Sequence, residues 1–401
     1  MSISLFISAS LYPSSAQPQR GLFVEKRLNA LADYLGEKAR FHVISPTPYF
    51  PLTWDIFGRY ALYAKTPKTD QRGAFDIDYT RFMQLPLIGH HYVVDILAAR
   101  LDLKLQNLRD KQQKPDLLVA EYCFPDLLAL AKLGRKYHIP VIGTARGSDI
   151  SYFPNIPTVR KQFTDYIPNI SAISAMSSDL REDVIQLGFA PEKVHVIGNG
   201  VDTTLFSLIE NKDQIVSLRA KYGLFDKKII LSVGGLIPRK GHDLAIRALI
   251  DVPQATLVIV GTGPEEKNLK HLAETSGIRD RVLFLGSRTQ AELAELYSIT
   301  DLFLLCSLSE GRANVLMEAA AGGAPLISAD VQGTKDVITS ADIGTIFSHR
   351  DPKRLAMTLN ESLIKTYNRD YIRQSVLPHS WEACAKNYAN LILQFTGDKG
   401  L

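Results

Sequence analysis

The chain has 401 residues, 46% of them hydrophobic, and a formal net charge of +4. That length suggests two or three domains with sizeable cores, and so mild a positive charge gives no reason to expect nucleic acid as a partner. The three cysteines, Cys123, Cys306 and Cys384, lack metal-site spacing and read as reduced thiols in a reducing compartment, while no stretch reaches the ~20 apolar residues of a membrane span.

From the amino terminus, apolar runs alternate with amphipathic stretches, as in parallel sheets joined by crossover helices. Residues 3–9 predict a strand; no basic lead precedes them, so a signal peptide is not the preferred reading. Residues 22–36 predict a helix with Leu22, Phe23, Leu28, Leu31 and Leu35 as its apolar residues. Strands follow at 41–44, 117–120, 141–144, 172–175 and 194–197, with a helix over 127–137. The turn Asn199-Gly200-Val201-Asp202 marks a domain boundary. The pattern then restarts, with strands at 229–233, 257–260, 282–285, 302–305 and 326–327. Helices are expected at 241–250 and 265–275, and a last amphipathic helix at 381–395. The fold class is therefore α/β, with two consecutive doubly wound Rossmann-like domains, 1–198 and 199–375, and a C-terminal segment, 376–401. Ligands of such sheets bind at the carboxyl ends of the strands, here in a cleft between the domains.

Residues 46–91 interrupt the first domain. Tyr49, Phe50, Trp54, Phe57, Tyr60 and Tyr63 interleave with Arg59, Lys65, Lys68 and Arg72, which reads as an insertion loop. Membrane contact, an acceptor groove or packing on its own aromatics all fit it. Asp76-Ile77-Asp78 has the spacing of a metal clamp, but no nucleotide-binding strand precedes it, and metal binding is not expected there. The adjacent His90 and His91 diverge and lack a spaced carboxylate, so they read as solvated or acceptor-facing.

The most informative segment is 309–323. Glu310 and Glu318 stand eight residues apart on a strand–loop–helix unit. Asn314 is placed to cap the helix, and Gly322-Gly323 to end it. A helix start offers unpaired amides and a positive dipole end for phosphate, while carboxylates suit sugar hydroxyls. Upstream, Gly234-Gly235 ends a strand and leads to Arg239 and Lys240, which read as cations for an anionic ligand or as an exposed basic turn, the place at a strand's carboxyl end weighing against the latter. Gly261-Thr262-Gly263 does not complete a dinucleotide fingerprint, because Glu266 occupies the third glycine position; a tight turn and a ligand contact both remain open. Arg146-Gly147-Ser148-Asp149 follows a buried strand and reads equally as a second candidate site or a structural turn.

Taken in order, these segments resemble the retaining glycosyltransferases of family four, which have the GT-B fold. Glu310 and Glu318 match the family's Glu-x7-Glu motif. The segments 196–202, 261–264 and 282–286 match further blocks, 18–23 looks like the amino-terminal glycine loop around Gly21, and 380–382 like the start of the last helix, which in the family crosses back to the first domain. Within the family, the strings around Lys240 and Arg146 look most like bacterial polysaccharide and teichuronic-acid-type transferases. The resemblance implies a hexosyltransferase that moves a sugar from a nucleoside diphosphate donor, a UDP-sugar, to a hydroxyl of a cell-surface polysaccharide or lipid-linked glycan. No metal or other cofactor is implied, and a cytoplasmic place is expected; peripheral contact with the cytoplasmic membrane face is expected from the 46–91 segment. Glu318 would bind ribose, Glu310 would face the donor sugar, and Lys240 with Arg239 would hold the phosphates. Gly21, Gly235, Gly263, Gly286, Gly311, Asn314, Val315 and Leu316 would line the donor. Two departures stand out. Gly235 replaces the family's arginine, and Arg146 replaces a histidine near the sugar's 6-position, where a guanidinium would read a uronic-acid carboxylate. An epimerase or phosphorylase on this fold, or an inactive nucleotide-sugar-binding subunit, are the alternatives.

Overall fold

The computed structural model describes residues 2–83 and 89–397. Residues 84–88 of the 46–91 segment and 398–401 of the C-terminal segment lie outside the described residues. The chain divides into two compact units, residues 1–200 with 381–401, and residues 201–380.

The first unit contains β1 (Ile3–Ser8), β2 (Ala39–Ile44), β3 (Thr47–Pro48), β4 (Thr69–Arg72), β5 (Phe75–Asp78), β6 (Arg81–Phe82), β7 (Leu117–Ala120), β8 (Val141–Ala145), β9 (Ala172–Ala175) and β10 (Val194–Val196). The main sheet runs β10-β9-β8-β7-β1-β2-β5-β4, with β4 antiparallel to β5 and the other pairs parallel. The register sets the two faces. Leu5 lies between Phe41 and Leu117, and Ile7 between Val43 and Val119. These odd-numbered residues turn toward one core and their even-numbered neighbours toward the other, because strand side chains alternate. The odd face packs on the helices Leu22–Leu35 and Trp381–Thr396, through Val24, Leu28, Leu31, Tyr388, Leu391 and Ile392. The even face, with Phe6, Ile44, Leu118 and Ala120, packs on the helices Val93–Asp110 and Leu128–Tyr137.

Two expectations for this unit are corrected. The 46–91 segment is not an insertion loop throughout. Its second half extends the sheet, with Ile77 opposite Val43 and the β4–β5 pair folded back on itself. The alternation there rests on only two apolar positions, Phe75 and Ile77, which is too short a signal to separate from loop. The expected C-terminal segment also divides: Val376 ends the helix Arg369–Val376 of the second unit, and the last helix starts at Trp381. Gly200 is fixed by that crossing, since a β-carbon on it would lie 2.5 Å from the Trp381 Cα.

The second unit contains β11 (Lys228–Val233), β12 (Ala255–Val260), β13 (Val282–Gly286), β14 (Leu302–Leu305), β15 (Leu326–Ala329) and β16 (Gly344–Phe347). They form one parallel sheet in the order β13-β12-β11-β14-β15-β16. β11 is central and fully apolar from Ile229 to Leu231, as a strand covered on both faces requires. β16 carries too few apolar residues to be read from the sequence. Its place is made by contact, since a β-carbon on Gly344 would lie 1.9 Å from the Leu326 carbonyl oxygen.

Leu391 is 2% exposed in the seam between the two helices on the odd face. Leu391→Ala is expected to cost about 2–5 kcal/mol, read as a lowered urea midpoint. A loss under about 1 kcal/mol would contradict this packing.

Candidate functional site

The glycine turns of the second unit are built one on another at the carboxyl ends of β11, β12 and β13. The Gly234 amide donates to the Val260 carbonyl at 2.9 Å, Leu236 to Thr262 at 2.9 Å, and Gly261 to Gly286 at 2.8 Å. A β-carbon on Gly261 would lie 1.9 Å from the Gly234 carbonyl oxygen, and one on Gly263 would lie 2.3 Å from that of Leu236. Gly263 is therefore required by backbone packing, and the expected donor contact is not what makes it glycine. Gly286 has φ +68° with open space around its missing side chain, so conformation is its requirement. Gly235 is uncrowded, with its nearest neighbour the Thr262 carbonyl oxygen at 3.8 Å. Lack of room does not account for glycine standing where the family carries arginine.

Past this turn, Pro238–Lys240 forms a single 3₁₀ turn that ends at Gly241 with φ +66°. A β-carbon on Gly241 would lie 2.2 Å from the Cys306 carbonyl oxygen, so the cationic turn rests on the chain leaving β14. The Leu308 amide donates to the Arg239 carbonyl at 2.8 Å. These contacts bring the charged side chains together. Lys240 Nζ lies 2.6 Å from Glu310 Oε1, and the Ser307 hydroxyl donates to the same oxygen at 2.6 Å. Arg239 Nη1 donates to the Ser309 carbonyl at 2.6 Å and stands 3.4 Å from Glu310 Oε2. The Glu310 side chain is 9% exposed and that of Lys240 17%. Charge pairs so shielded interact more strongly than surface pairs.

Glu318 sits on the helix Asn314–Ala321 and is 8% exposed. Its Oε2 accepts from the hydroxyl of Tyr297, which is fully buried. Burial next to that carboxylate pushes the Tyr297 phenol well above its ordinary pKa, so it stays a donor. Asn314 does not cap this helix: it is the first helical residue, Ala313 holds the cap position, and no side-chain cap forms. Leu316 is a core residue with 0% exposure, and its amide is bonded to the Ala313 carbonyl at 3.0 Å. It is therefore no ligand contact through either group. Val315 precedes it in the helix and Gly311 lies in the loop before Ala313, both partly buried.

Arg146 and Gly21 belong to the first unit. Gly21 has φ +73° and starts the helix Leu22–Leu35, where a β-carbon would lie 2.1 Å from the Leu11 carbonyl oxygen. Arg146 follows β8, and its guanidinium is already engaged. Nε donates to the Glu121 carbonyl at 2.6 Å and Nη2 pairs with the buried Glu121 carboxylate. Tyr388 of the last helix donates to the same carboxylate at 3.3 Å and covers the guanidinium of Arg27, whose Cζ lies 3.9 Å from the ring centroid. The expectation that Arg146 reads a donor carboxylate is corrected accordingly: its forked donor pair is filled by Glu121. Asp78 pairs with Lys104 at 2.6 Å, and His90 packs among Phe124 and Phe153. Among the described residues, no group of three or more His, Cys, Asp or Glu is placed to hold a metal ion.

Sequence reasoning missed Ser307, Tyr297, Glu121, Tyr388 and His242. Glu121 could have been found, because it follows β7 as Arg146 follows β8. Tyr297 and Tyr388 gave no signal beyond their apolar helix faces. His242 is 3% exposed beneath the glycine turn, with Nδ1 3.2 Å from the Ser232 hydroxyl. Burial holds its pKa below 6.5. The unfolded chain therefore binds the proton first, and this group's contribution to stability is full above pH 6.5 and declines as the pH falls below it. Melting temperature is expected to drop from pH 7.5 to 5.5 with a shallower slope in His242→Asn; equal slopes would remove His242 as a cause.

Comparison with known proteins finds relatives of both units. Residues 24–205 match the family model Glycosyltransferase Family 4, and residues 214–375 match Glycosyl transferases group 1. An uncharacterised glycosyltransferase of Methanocaldococcus jannaschii is 30% identical over 229 residues, 55% of this chain and 59% of that protein. The N-acetyl-alpha-D-glucosaminyl L-malate synthase of Bacillus anthracis is 28% identical over 240 residues, 58% of this chain and 61% of that enzyme. The matched region thus spans about three-fifths of the length of these two relatives. The structure of HepE from Anabaena in complex with UDP has a TM-score of 0.71 at 21% identity, over 98% of this chain and 100% of that one. Residues 24–205 therefore carry a glycosyltransferase family 4 domain and residues 214–375 a glycosyltransferase group 1 domain, on the two-domain GT-B fold that the chain shares with HepE.

Proposed function

We propose that the protein is a hexosyltransferase that moves a sugar from a UDP-sugar to a hydroxyl of a cell-surface polysaccharide or lipid-linked glycan, with retention at the anomeric carbon. The observation that carries this reading is the convergence of Lys240, Arg239 and Glu310 at the carboxyl ends of β11 and β14, with Glu318 one turn into the following helix. The bond from the anomeric carbon to the diphosphate breaks, and its electron pair leaves with UDP. The acceptor oxygen bonds to the same face, and its proton passes to a donor phosphate oxygen. Lys240 and Arg239 stabilise the charge that develops on the leaving group. Glu318 orients the ribose and Glu310 the sugar. HepE, which shares the fold, was solved with UDP.

Purified protein incubated with UDP-sugars and an envelope glycan extract tests this. Lys240→Ala and Glu318→Ala are each expected to lower turnover roughly tenfold or more, and EDTA to leave turnover unchanged. Folded variants with full turnover would refute the assignments.

The acceptor side extends to a membrane surface. Trp54 and Ile56, 67% and 86% exposed, stand beside the exposed Tyr49 and Leu52 on the 46–66 stretch. Aromatic and aliphatic side chains displayed in this way suit the headgroup region. No helix among the described residues is long and apolar enough to cross a membrane. Wild type is expected to sediment with anionic phospholipid vesicles, and a Trp54→Ala, Ile56→Ala double variant to do so about tenfold less. Failure of wild type to sediment would refute the contact.

A further inference from the structure

The cation turn of the second unit already holds an anion, and it is the protein's own. Both carboxylate oxygens of Glu310 face donors: Lys240 and the Ser307 hydroxyl at 2.6 Å on Oε1, and Arg239 at 3.4 Å on Oε2. Charge-assisted contacts of this kind are the strong ones. The walls that carry them are tied by backbone, through the Leu308 amide on the Arg239 carbonyl at 2.8 Å and the close seat of Gly241 on Cys306. Ser307 grips Glu310 without help from the lysine, so a ligand that takes Lys240 leaves the carboxylate close by.

We propose that Glu310 sets a charge threshold on the donor site: by occupying Lys240 it refuses single phosphates and admits ligands that bring a diphosphate. This rests on the transferase reading and deepens it by naming what selects the donor's phosphate chain. A single phosphate engaging Lys240 must displace a bonded carboxylate and then stand against it, and like charges so placed oppose binding. A diphosphate reaches both cations. The Arg239 side chain is 46% exposed and open to the second phosphate, whereas Lys240 is the shielded one. Specificity built on a repulsive group inside the site is a general device.

The test is calorimetric titration of wild type, Glu310→Gln and a Glu310→Gln, Lys240→Ala double variant with inorganic phosphate, inorganic diphosphate and UDP at low salt. Wild type is expected to bind UDP and diphosphate and to take phosphate poorly. Glu310→Gln is expected to tighten phosphate about tenfold and to narrow its gap to diphosphate. The gain should vanish in the double variant, which separates relief of Lys240 from a general loss of negative charge. A folded Glu310→Gln with an unchanged phosphate-to-diphosphate ratio overturns the proposal, as does a gain that persists without Lys240. If Glu310→Gln does not melt cooperatively, Ser307→Ala carries the test, with a smaller tightening of phosphate expected and none overturning it. Failure of the transferase reading is distinct: folded wild type would then bind no UDP, whatever the phosphate ratio.

Discussion

The Cys306 carbonyl oxygen stands where residue 241 would carry a β-carbon, 2.2 Å from its built position. This contact decides how the second unit's charges are arranged. Gly241 alone accepts both the approach and its positive φ, and it seats the turn of Arg239 and Lys240 on the chain leaving β14. With the turn there, both cations pair with Glu310, and the Ser307 hydroxyl completes its bonds. A bulkier residue at 241 would move the turn as a body, so the site depends on a residue that carries no chemistry.

The first unit solves a different problem with the same material. Arg146 and Glu121 end neighbouring strands, and both are nearly or wholly withdrawn from water. A lone buried charge is costly, and the ion pair with added donors offsets it. Tyr388 joins the pair to Arg27 by one hydrogen bond and one ring face. The last helix is therefore tied to its unit by polar contacts as well as by the apolar seam of Leu391 and Ile392.

Much of this was legible in the residues. The strands Leu117–Ala120 and Leu302–Leu305 were readable because each is a short continuous apolar run with turn residues beside it, and Ala172–Ala175 departs from that only at Ser174. β16 and the β4–β5 pair were not, since each shows two or three apolar residues and is held by neighbours distant in sequence. The charged site residues were readable as types at strand ends. Gly263 and Gly21 were readable as glycines, and for Gly263 the backbone contacts fit the tight turn, one of its two open readings. They face carbonyl oxygens of adjacent turns, which spacing along the chain does not reveal.

The sequence by itself determined the alternation of strand and helix, the restart after the turn at 199–202, and the carboxylates at 310 and 318 on a strand–loop–helix unit. Those features depend on local propensity and periodicity, which operate over a few residues. Only the tertiary structure decided that Lys240 holds Glu310, that Arg146 holds Glu121, that Leu316 is core and that Ala313, not Asn314, precedes the helix. Partner choice among charges depends on which strand ends lie side by side, and parallel pairing brings together residues 25 and 70 positions apart in a way that no local pattern encodes.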